Sequence, residues 1–331
     1  MAALAPGGAP WPGAVAVSGG GDSLALMLLL ARWAKAEGRP LPVVLIVDHG
    51  LRDDSAAEAK AAARAARAAR LKSHVLTWQG AKPRTDLEAA AREARYRLMG
   101  EWCRGHGLKS LYVAHNREDL AETFLLRLAR GSGLDGLAAI PPLAAFPLPG
   151  FAGLMVARPL LGVGRSELRG FLATQGFGWA EDPMNADPRF ARARLRAAWP
   201  ELEKLGLTPR RIAGAARHLA RARETLEAAT ARFLADHSHF EGGTMTLDGM
   251  ALAALPRELG LRALAAALGR VSGAAYRPRF ERLERLYDAV AAGALTKGRT
   301  LLGCRIAPAV RRNARYGDAT LCLTREPPRK A

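Results

Sequence analysis

A short apolar run that leads into three consecutive glycines constrains this chain more than any other feature. Residues 15–17 (Val-Ala-Val) are typical of a buried strand, Gly19, Gly20 and Gly21 follow, and the apolar residues 24–30 are typical of a buried helix. We therefore expect a strand–turn–helix unit with residues 18–23 on the turn. Glycines let a backbone approach a ligand closely, and the N–H groups at the start of a helix favour an anion such as phosphate.

The turn matches neither of two common phosphate-binding motifs. No Lys follows the glycines at the spacing of G-x-x-x-x-G-K-[ST], and the spacing of G-x-G-x-x-G is absent as well. Asp22 and Ser23 stand where the helix is expected to begin, so they can cap it or reach a metal ion or a substrate amine. An ordinary glycine-rich turn with N-capping residues is the structural alternative.

Strands and helices are predicted to alternate through the first half of the chain. The predicted strands are 15–17, 43–47, 74–77 and 111–114, and the predicted helices are 23–35, 56–70, 85–105 and 119–130. A capping box, Thr85-x-x-Glu88, is expected to open the third helix. This alternation predicts an α/β fold with a doubly wound, mostly parallel sheet. Polar residues follow three of the strands, at 18–23, 48–52 and 115–122, where such sheets bind ligands. The strand order stays open.

The length of the chain favours more than one domain. Its 331 residues exceed what one typical hydrophobic core contains. We expect a flexible N-terminus over 1–13, an α/β domain over 14–205 and a smaller, mainly helical domain over 206–331. The three cysteines form no C-x-x-C pair, which argues against a disulfide framework or a zinc site. Neither a signal peptide nor a membrane-spanning run is recognised, so a soluble cytoplasmic protein is expected.

The chain is strongly basic. Its formal net charge is +18, which favours nucleic acid as a partner, although solvated basic helices are the simpler explanation for part of the excess. Residues 189–232 hold eleven Lys or Arg and four Glu. Within them, Arg192, Arg194 and Arg196 would share one face of an extended segment and bind one polyanion, whereas a helix would splay them apart. Ion pairs with the protein's own carboxylates are the alternative role.

Several motifs follow one another in a fixed order. They are SGGGDS at 18–23, VDHGLR at 47–52, AREARY at 91–96, HNREDLAETFLLRLARGSG at 115–133, RPLL at 158–161 and EDPMNADPRFARARLR at 181–196. The first resembles the signature of the PP-loop ATP pyrophosphatases, and together they resemble the tRNA(Ile)-lysidine synthetases. This resemblance implies that ATP adenylates the wobble cytidine of a tRNA(Ile) with a CAU anticodon. The ε-amine of free L-lysine then displaces AMP, and pyrophosphate is the other product.

The resemblance also implies roles for individual residues. The ATP-binding candidates are Ser18, Gly19, Gly20, Gly21, Asp22, Ser23 and Asp48. The catalytic candidates are Asp22, Asp119, Glu122 and His115, with Asp22 and Asp119 as ligands of Mg²⁺. The tRNA-binding candidates are Arg192, Arg194 and Arg196. Clustered carboxylates suit this chemistry because they can hold a lysine cation and accept its proton.

The motifs depart from the family pattern at four positions. Glu118 replaces an Asp, Leu120 a Gln, Met184 a Ser and Ala193 an Asn. We expect these changes to affect substrate positioning more than the class of reaction. Alternative functions are a tRNA cytidine thiolase, which typically carries paired cysteines, a small-molecule PP-loop synthetase, and a catalytically silent RNA-binding protein. A homodimer is left open.

Overall fold

The computed structural model describes residues 8–52, 54–80, 82–83, 85–180, 189, 191–274, 276, 278–309, 316 and 319–326. The motif at 181–188, including Met184, lies outside the described residues. The chain forms two compact units, Met1–Ala220 and Arg221–Ala331. Each unit is built around its own hydrophobic clusters.

The N-terminal unit is an α/β structure. Its elements are β1 (Ala14–Ala16), α1 (Gly21–Ala36), β2 (Val43–Asp48), α2 (Ser55–Ala68), β3 (Ser73–Thr77), α3 (Leu87–Gly105), β4 (Ser110–Tyr112), α4 (Arg117–Leu128), α5 (Leu134–Leu137), β5 (Leu143–Ala145), β6 (Met155–Ala157), α6 (Arg165–Thr174), α7 (Ala191–Ala197), α8 (Trp199–Lys204) and the start of α9 (Pro209–His237). The sheet order is β3-β2-β1-β4-β6-β5, and only β5 pairs antiparallel. The predicted mostly parallel sheet is confirmed.

Helix α1 lies in the core of this unit. It is apolar on nearly all sides, and Leu26, Met27 and Leu30 are fully buried. A helix of this kind is stable only when neighbours cover it all round. The strand β1 and the helix α6 contribute Val15 and Leu168 to the same cluster. The turn between β1 and α1 is therefore anchored on both sides by packed elements.

Two helix starts differ from their predictions. The prediction of a capping box at Thr85 is wrong. Helix α3 begins at Leu87, after the left-handed residue Asp86, which makes no side-chain capping bond. In contrast, α4 begins two residues before its predicted start. It has a capping box in which Asn116 and Asp119 bond each other's backbone N–H groups. The cap fixes the position of Asp119 at the start of α4.

The C-terminal unit combines helices with an antiparallel sheet. After α9 it contains β7 (Ser238–Glu241), β8 (Thr244–Asp248), α10 (Gly249–Ala254), α11 (Arg257–Ser272), α12 (Phe280–Ala291), β9 (Arg299–Leu301), β10 (Cys304–Pro308) and β11 (Thr320–Arg325). The sheet order is β7-β8-β11-β10-β9. The strands β9 and β10 form a hairpin, because Leu302 and Gly303 adopt positive φ angles and reverse the chain.

Two further expectations can be compared with the structure. Each of the three cysteines is free. Among the described residues, no helix is both long and apolar enough to span a membrane.

Candidate active site

The three polar segments predicted from the sequence lie beyond the carboxyl ends of β1, β2 and β4. These strands are neighbours in the sheet, with β1 in the middle. Because the three strands run parallel, their carboxyl ends meet at one edge. The topology therefore brings the SGGGDS turn, the VDHGLR segment and the start of α4 to the same side of the unit.

The side chain of Ser23 closes the turn between β1 and α1. Ser23 Oγ donates to the Gly20 carbonyl at 2.8 Å and accepts from Ser18 N at 3.2 Å, which closes the turn on itself. Gly19 has a φ of +87°, a conformation that an L side chain rarely adopts. Helix α1 then starts at Gly21, and N–H groups in a first helical turn have no partner within the helix. The turn thus has the backbone of an anion-binding site.

Two residues that precede the motif at 181–196 lie against this turn. The carbonyl of Gly19 accepts a hydrogen bond from Ala180 N at 3.2 Å. A Cβ atom at Gly21 would lie 3.3 Å from the indole of Trp179, so this glycine also allows the ring to approach closely. Trp179 was missed in the sequence because a lone aromatic more than 150 residues downstream carries no local signal.

Asp22 faces the start of α4. Its Oδ2 accepts from Asn116 Nδ2 at 2.9 Å and from Arg165 Nε at 3.3 Å. Its Oδ1 is buried and has no hydrogen-bond partner among the described residues. Burial raises the pKa of Asp22, Arg165 opposes this effect, and the carboxylate of Asp119 adds to it. An orphaned buried carboxylate oxygen of this kind suits a cation ligand.

Asp119 lies beside Asp22 and shares its partners. Its Oδ2 accepts from Asn116 N at 3.0 Å, and its Oδ1 lies 3.7 Å from an Nη atom of Arg165. The structure therefore brings together the two residues predicted as Mg²⁺ ligands, with one guanidinium between them. Of the described residues, no group of three or more His, Cys, Asp or Glu side chains could hold a metal ion. A bound ion would therefore need oxygen atoms from a substrate or water as well.

Glu122 is on the same helix but has a different partner. Its side chain is 2% exposed and accepts two hydrogen bonds from Arg196, at 2.6 Å and 3.1 Å. A bidentate pair of this type is strong and geometrically specific. In this structure, Glu122 is thus neutralised by Arg196, whereas Asp22 and Asp119 share Arg165.

His115 and Arg158 lie close to this group of acids. Nδ1 of His115 is buried and unpartnered in the described part of the chain. Burial lowers the pKa of His115 to about 4; Asp119 opposes this, and the guanidiniums of Arg158 and Arg92 add to it. The imidazole is therefore neutral near pH 7. Arg158 from the RPLL motif is itself buried and donates to the carbonyl of Pro141 at 2.9 Å.

Asp48 ends β2 and is engaged locally. Its Oδ1 accepts from Gly50 N at 3.0 Å and from the hydroxyl of Ser55. These bonds fix the turn that carries His49. Burial lowers the pKa of His49 to about 4, Arg95 and Lys82 lower it further, and Asp48 opposes them. Trp78 stacks edge-on against His49, which gives this strand end an aromatic surface.

The three predicted tRNA-binding arginines do not share one face. They lie on α7, and of the two conformations considered from the sequence the structure shows the helix. Arg192 and Arg194 are exposed, whereas Arg196 points to Glu122. The alternative role, an ion pair with the protein's own carboxylate, is therefore the one that Arg196 has here.

Two residues that the sequence analysis did not single out are central to the site. Asn116 contacts both Asp22 and Asp119, and Arg165 lies between them. The position of Asn116 next to His115 was the available signal, since it belongs to the same motif. For Arg165 the signal was weak, because it follows the RPLL motif at the start of a helix.

Three of the four departures from the family pattern are accommodated by packing or bonding. Leu120 is 2% exposed and packs in a cluster with Ala139, Leu161, Ala213 and Ala216. Glu118 accepts from Arg165 N at 2.9 Å, so its longer arm caps the start of α6. Ala193 is buried in α7. These residues do not remove Asp119 or Glu122 from the site.

Comparison with known proteins gives the family. Residues 12–202 match the PP-loop domain family. The tRNA(Ile)-lysidine synthase of Methylobacterium nodulans is 43% identical over 96% of this chain and 91% of that protein. The protein of the same name from Methylobacterium sp. strain 4-46 is 41% identical over 97% and 93%. The one from Ruegeria pomeroyi is 41% identical over 80% of this chain and 62% of that protein.

A solved structure supports the fold alone. The U34-tRNA thiolase of Methanococcus maripaludis superposes with a TM-score of 0.50 over 65% of this chain and 71% of that chain, at 17% identity. The PP-loop match covers more than half of the sequence, and the relatives in Methylobacterium match nearly all of it. On this basis, the chain belongs to the tRNA(Ile)-lysidine synthase family of PP-loop proteins.

Proposed function

We propose that this protein is an ATP-dependent ligase that forms lysidine at the wobble cytidine of a tRNA(Ile) with a CAU anticodon. The observation that carries the proposal is the placement of Asp22 and Asp119 beside the glycine turn at 18–23. We infer from this arrangement an anion site and a cation site at one edge of the sheet. The tRNA(Ile) substrate is inferred from the names of the relatives, and the use of ATP is inferred from membership of the PP-loop family.

The turn is proposed to hold the pyrophosphate portion of ATP. The N–H groups at the start of α1 and the positive end of its dipole favour negative charge there. Because no Lys follows the glycines, the turn lacks the side chain with which a Walker loop reaches the terminal phosphates. Cleavage to AMP and pyrophosphate is the expected outcome. Asp48 and its neighbour His49 are proposed to lie at the nucleoside end.

Asp22 and Asp119 are the proposed Mg²⁺ ligands. The fit rests on Asp22 Oδ1, which is buried without a partner among the described residues. When bound, Mg²⁺ would neutralise charge that develops on the phosphate oxygens. It is normally held in proteins by one or two carboxylates together with substrate phosphates and water, which matches this donor set.

The lysine amine is proposed to bind at the same acidic group. Asp119 is the more accessible acceptor, because both oxygens of Glu122 already accept from Arg196. Glu122 would therefore contact the lysine amine either while Arg196 stays bound or after the amine has displaced Arg196. His115 is neutral near pH 7, so we assign it a hydrogen bond to the cytidine and not a positive charge toward phosphate.

The tRNA is proposed to contact exposed arginines of α7 and the accessory region. Arg192 and Arg194 are exposed on that helix, and phosphate contacts by arginine supply affinity without base specificity. The functional domains are proposed to be 14–205 for catalysis and 206–331 for tRNA binding. The cytoplasm is the proposed location.

An assay with labelled lysine tests the reaction. Purified protein, ATP, Mg²⁺ and a tRNA(Ile) transcript with a CAU anticodon should yield acid-precipitable lysine, with AMP and pyrophosphate formed in equal amounts. A matched transcript with U in place of the wobble C should accept none. Stoichiometric ADP, or equal labelling of both transcripts, would contradict the proposal.

The half-reactions separate the roles of the acids. Glu122→Gln should impair transfer of lysine while adenylate formation remains measurable by pyrophosphate exchange, because the partner of Glu122 in this structure is Arg196 of α7. Ser18→Ala should instead weaken the first step. Equal losses of both half-reactions in Glu122→Gln would refute this division.

A further inference from the structure

Asn116 uses its polar atoms on the two acidic residues of the site. Its side chain is completely buried. Its Nδ2 donates to Asp22 Oδ2 at 2.9 Å, and its backbone N donates to Asp119 Oδ2 at 3.0 Å. Its Oδ1 accepts from the backbone N of Asp119, also at 3.0 Å. One neutral residue thus holds a carboxylate from α1 and a carboxylate from α4.

Asn116 donates to the Oδ2 atom of both acids and leaves their Oδ1 atoms to other partners. Asp22 Oδ1 is buried and unpartnered within the described residues, and Asp119 Oδ1 faces only the long 3.7 Å approach of Arg165 that the structure records. Two carboxylate oxygens without close protein donors are the feature that a hard cation requires.

Asn116 suits this task because it is uncharged. Its amide can donate to a carboxylate without adding a positive charge that would repel a bound cation. A hydrogen bond to an ionised group is also stronger than one between neutral groups. It also caps α4, and the cap fixes the backbone of Asp119 directly. Position and orientation of the pair therefore both depend on this side chain.

We propose that Asn116 is a positioning residue that orients Asp22 and Asp119 to bind one divalent cation together. The inference rests on the proposed function, in which this pair holds Mg²⁺. It assigns Asn116 no contact with substrate. Its effect is exerted through Asp22, whose orientation depends on the amide donor.

The test is Asn116→Ser, because Ser removes the donor to Asp22 but keeps a capping oxygen. Ser and Asn are comparable N-caps, so α4 should keep its start. Binding of Mn²⁺ alone to the full chain is measured as the loss of the electron paramagnetic resonance signal of free Mn²⁺. This readout is independent of activity. Loss of a hydrogen bond to a charged group should raise the Mn²⁺ dissociation constant about tenfold.

Two further variants make the result decisive. Asp248→Ser changes another N-cap, one that accepts from Ala251 N at 3.0 Å in the C-terminal unit, and controls for the thermal effect of a cap exchange. Asp22→Asn removes a proposed ligand and should abolish the Mn²⁺ site. The proposal is supported when Asn116→Ser weakens Mn²⁺ binding while its melting temperature falls no further than that of Asp248→Ser.

Every other outcome decides against a stated idea. If Asp22→Asn abolishes Mn²⁺ binding and Asn116→Ser binds as tightly as the wild type, the positioning role is overturned and the cation site stands. If Asn116→Ser melts far below the Asp248→Ser control, its role is structural and the proposal is overturned. If Asp22→Asn binds Mn²⁺ like the wild type, the proposed cation site itself fails, and the inference fails with it.

Discussion

The phosphate turn (residues 18–23) and the acidic cluster (Asp22, Asp119 and Glu122) lie at the same sheet edge but are built differently. The hydrogen bonds that close the turn join residues at most five positions apart, and two of them involve backbone atoms. The cluster is held by Asn116 and Arg165, which are 94 and 143 positions from Asp22, and by Arg196, which is 74 positions from Glu122. Short-range hydrogen bonds hold the turn together, whereas charged partners from distant segments hold the cluster together.

The difference teaches where each region is vulnerable. The turn is damaged by a change of backbone conformation or by loss of the Ser23 hydroxyl, which takes part in each of these three bonds. In the cluster a single lost charge leaves a partner uncompensated in a partly buried setting, which is costly. Asp22 belongs to both regions, so it should be the most sensitive position in the site.

Replacing Asp22 with Asn should therefore have the largest effect. The amide keeps the shape of the side chain but removes the charge that the proposed cation needs. We expect the rate of ATP–pyrophosphate exchange with tRNA present to fall by about 100-fold or more, a loss typical for a group that stabilises developing charge. An exchange rate within tenfold of the wild type, with the fold intact by circular dichroism, would show that the two regions act independently.

Replacing Arg196 with Met should give the next largest effect, on stability. Glu122 would stay buried without its bidentate partner, and we expect the free energy of unfolding to fall by about 2 kcal/mol, below the full cost of a buried ion pair because Arg196 is partly exposed. Arg192→Met is the matched control, since that exposed position should change stability by no more than about 0.5 kcal/mol. Urea denaturation measures both.

The same pair of variants also distinguishes stability from RNA binding. Arg192→Met should weaken binding of all tRNAs similarly and lower the log–log salt slope by about one unit or less. Equal destabilisation by both variants would show that α7 packs as a unit and that the charge of Arg196 has no special role.

Replacing Gly19 with Ala tests the turn. The substitution meets no close atom, since the nearest contact of a Cβ is 3.8 Å away, so its cost comes from the φ of +87°. We expect about 1–2 kcal/mol of destabilisation. Gly38→Ala, at a φ of +60° with open space around it, should cost a similar amount. Only Gly19→Ala should also weaken ATP binding measured by calorimetry; equal ATP affinity in both would contradict the assigned role of the turn.

A pH dependence at the end of β2 should be the smallest effect, because His49 is only half-buried. Its pKa of about 4 lies below the unfolded value of 6.5, so the unfolded state binds more protons between these values. The free energy of unfolding should accordingly decrease as the pH falls from about 6.5 to about 4. His49→Gln should reduce this slope in urea titrations at several pH values, and an unchanged slope would exclude the histidine as its source.

Predictability followed the range of the interactions. The turn could be predicted because its glycines, Ser18 and Ser23 act within one short segment. The start of α4 was placed two residues late because the Asn116-x-x-Asp119 capping box was not recognised, although it is a local pattern. The capping box at Thr85 failed for a different reason: the pattern was present, but Asp86 adopts a left-handed conformation that places the helix start after it.

By itself, the sequence determined the alternating strands and helices, the glycine turn and the acids at the strand ends. The spacing of apolar residues, the turn residues and the motifs are properties of short segments, so they can be recognised directly in the sequence. Only the tertiary structure decided that Arg165 lies between Asp22 and Asp119 and that Arg196 neutralises Glu122. These choices depend on which distant segments the sheet order and helix packing bring together, because a charged side chain that is partly removed from water binds whichever opposite charge the fold places within reach.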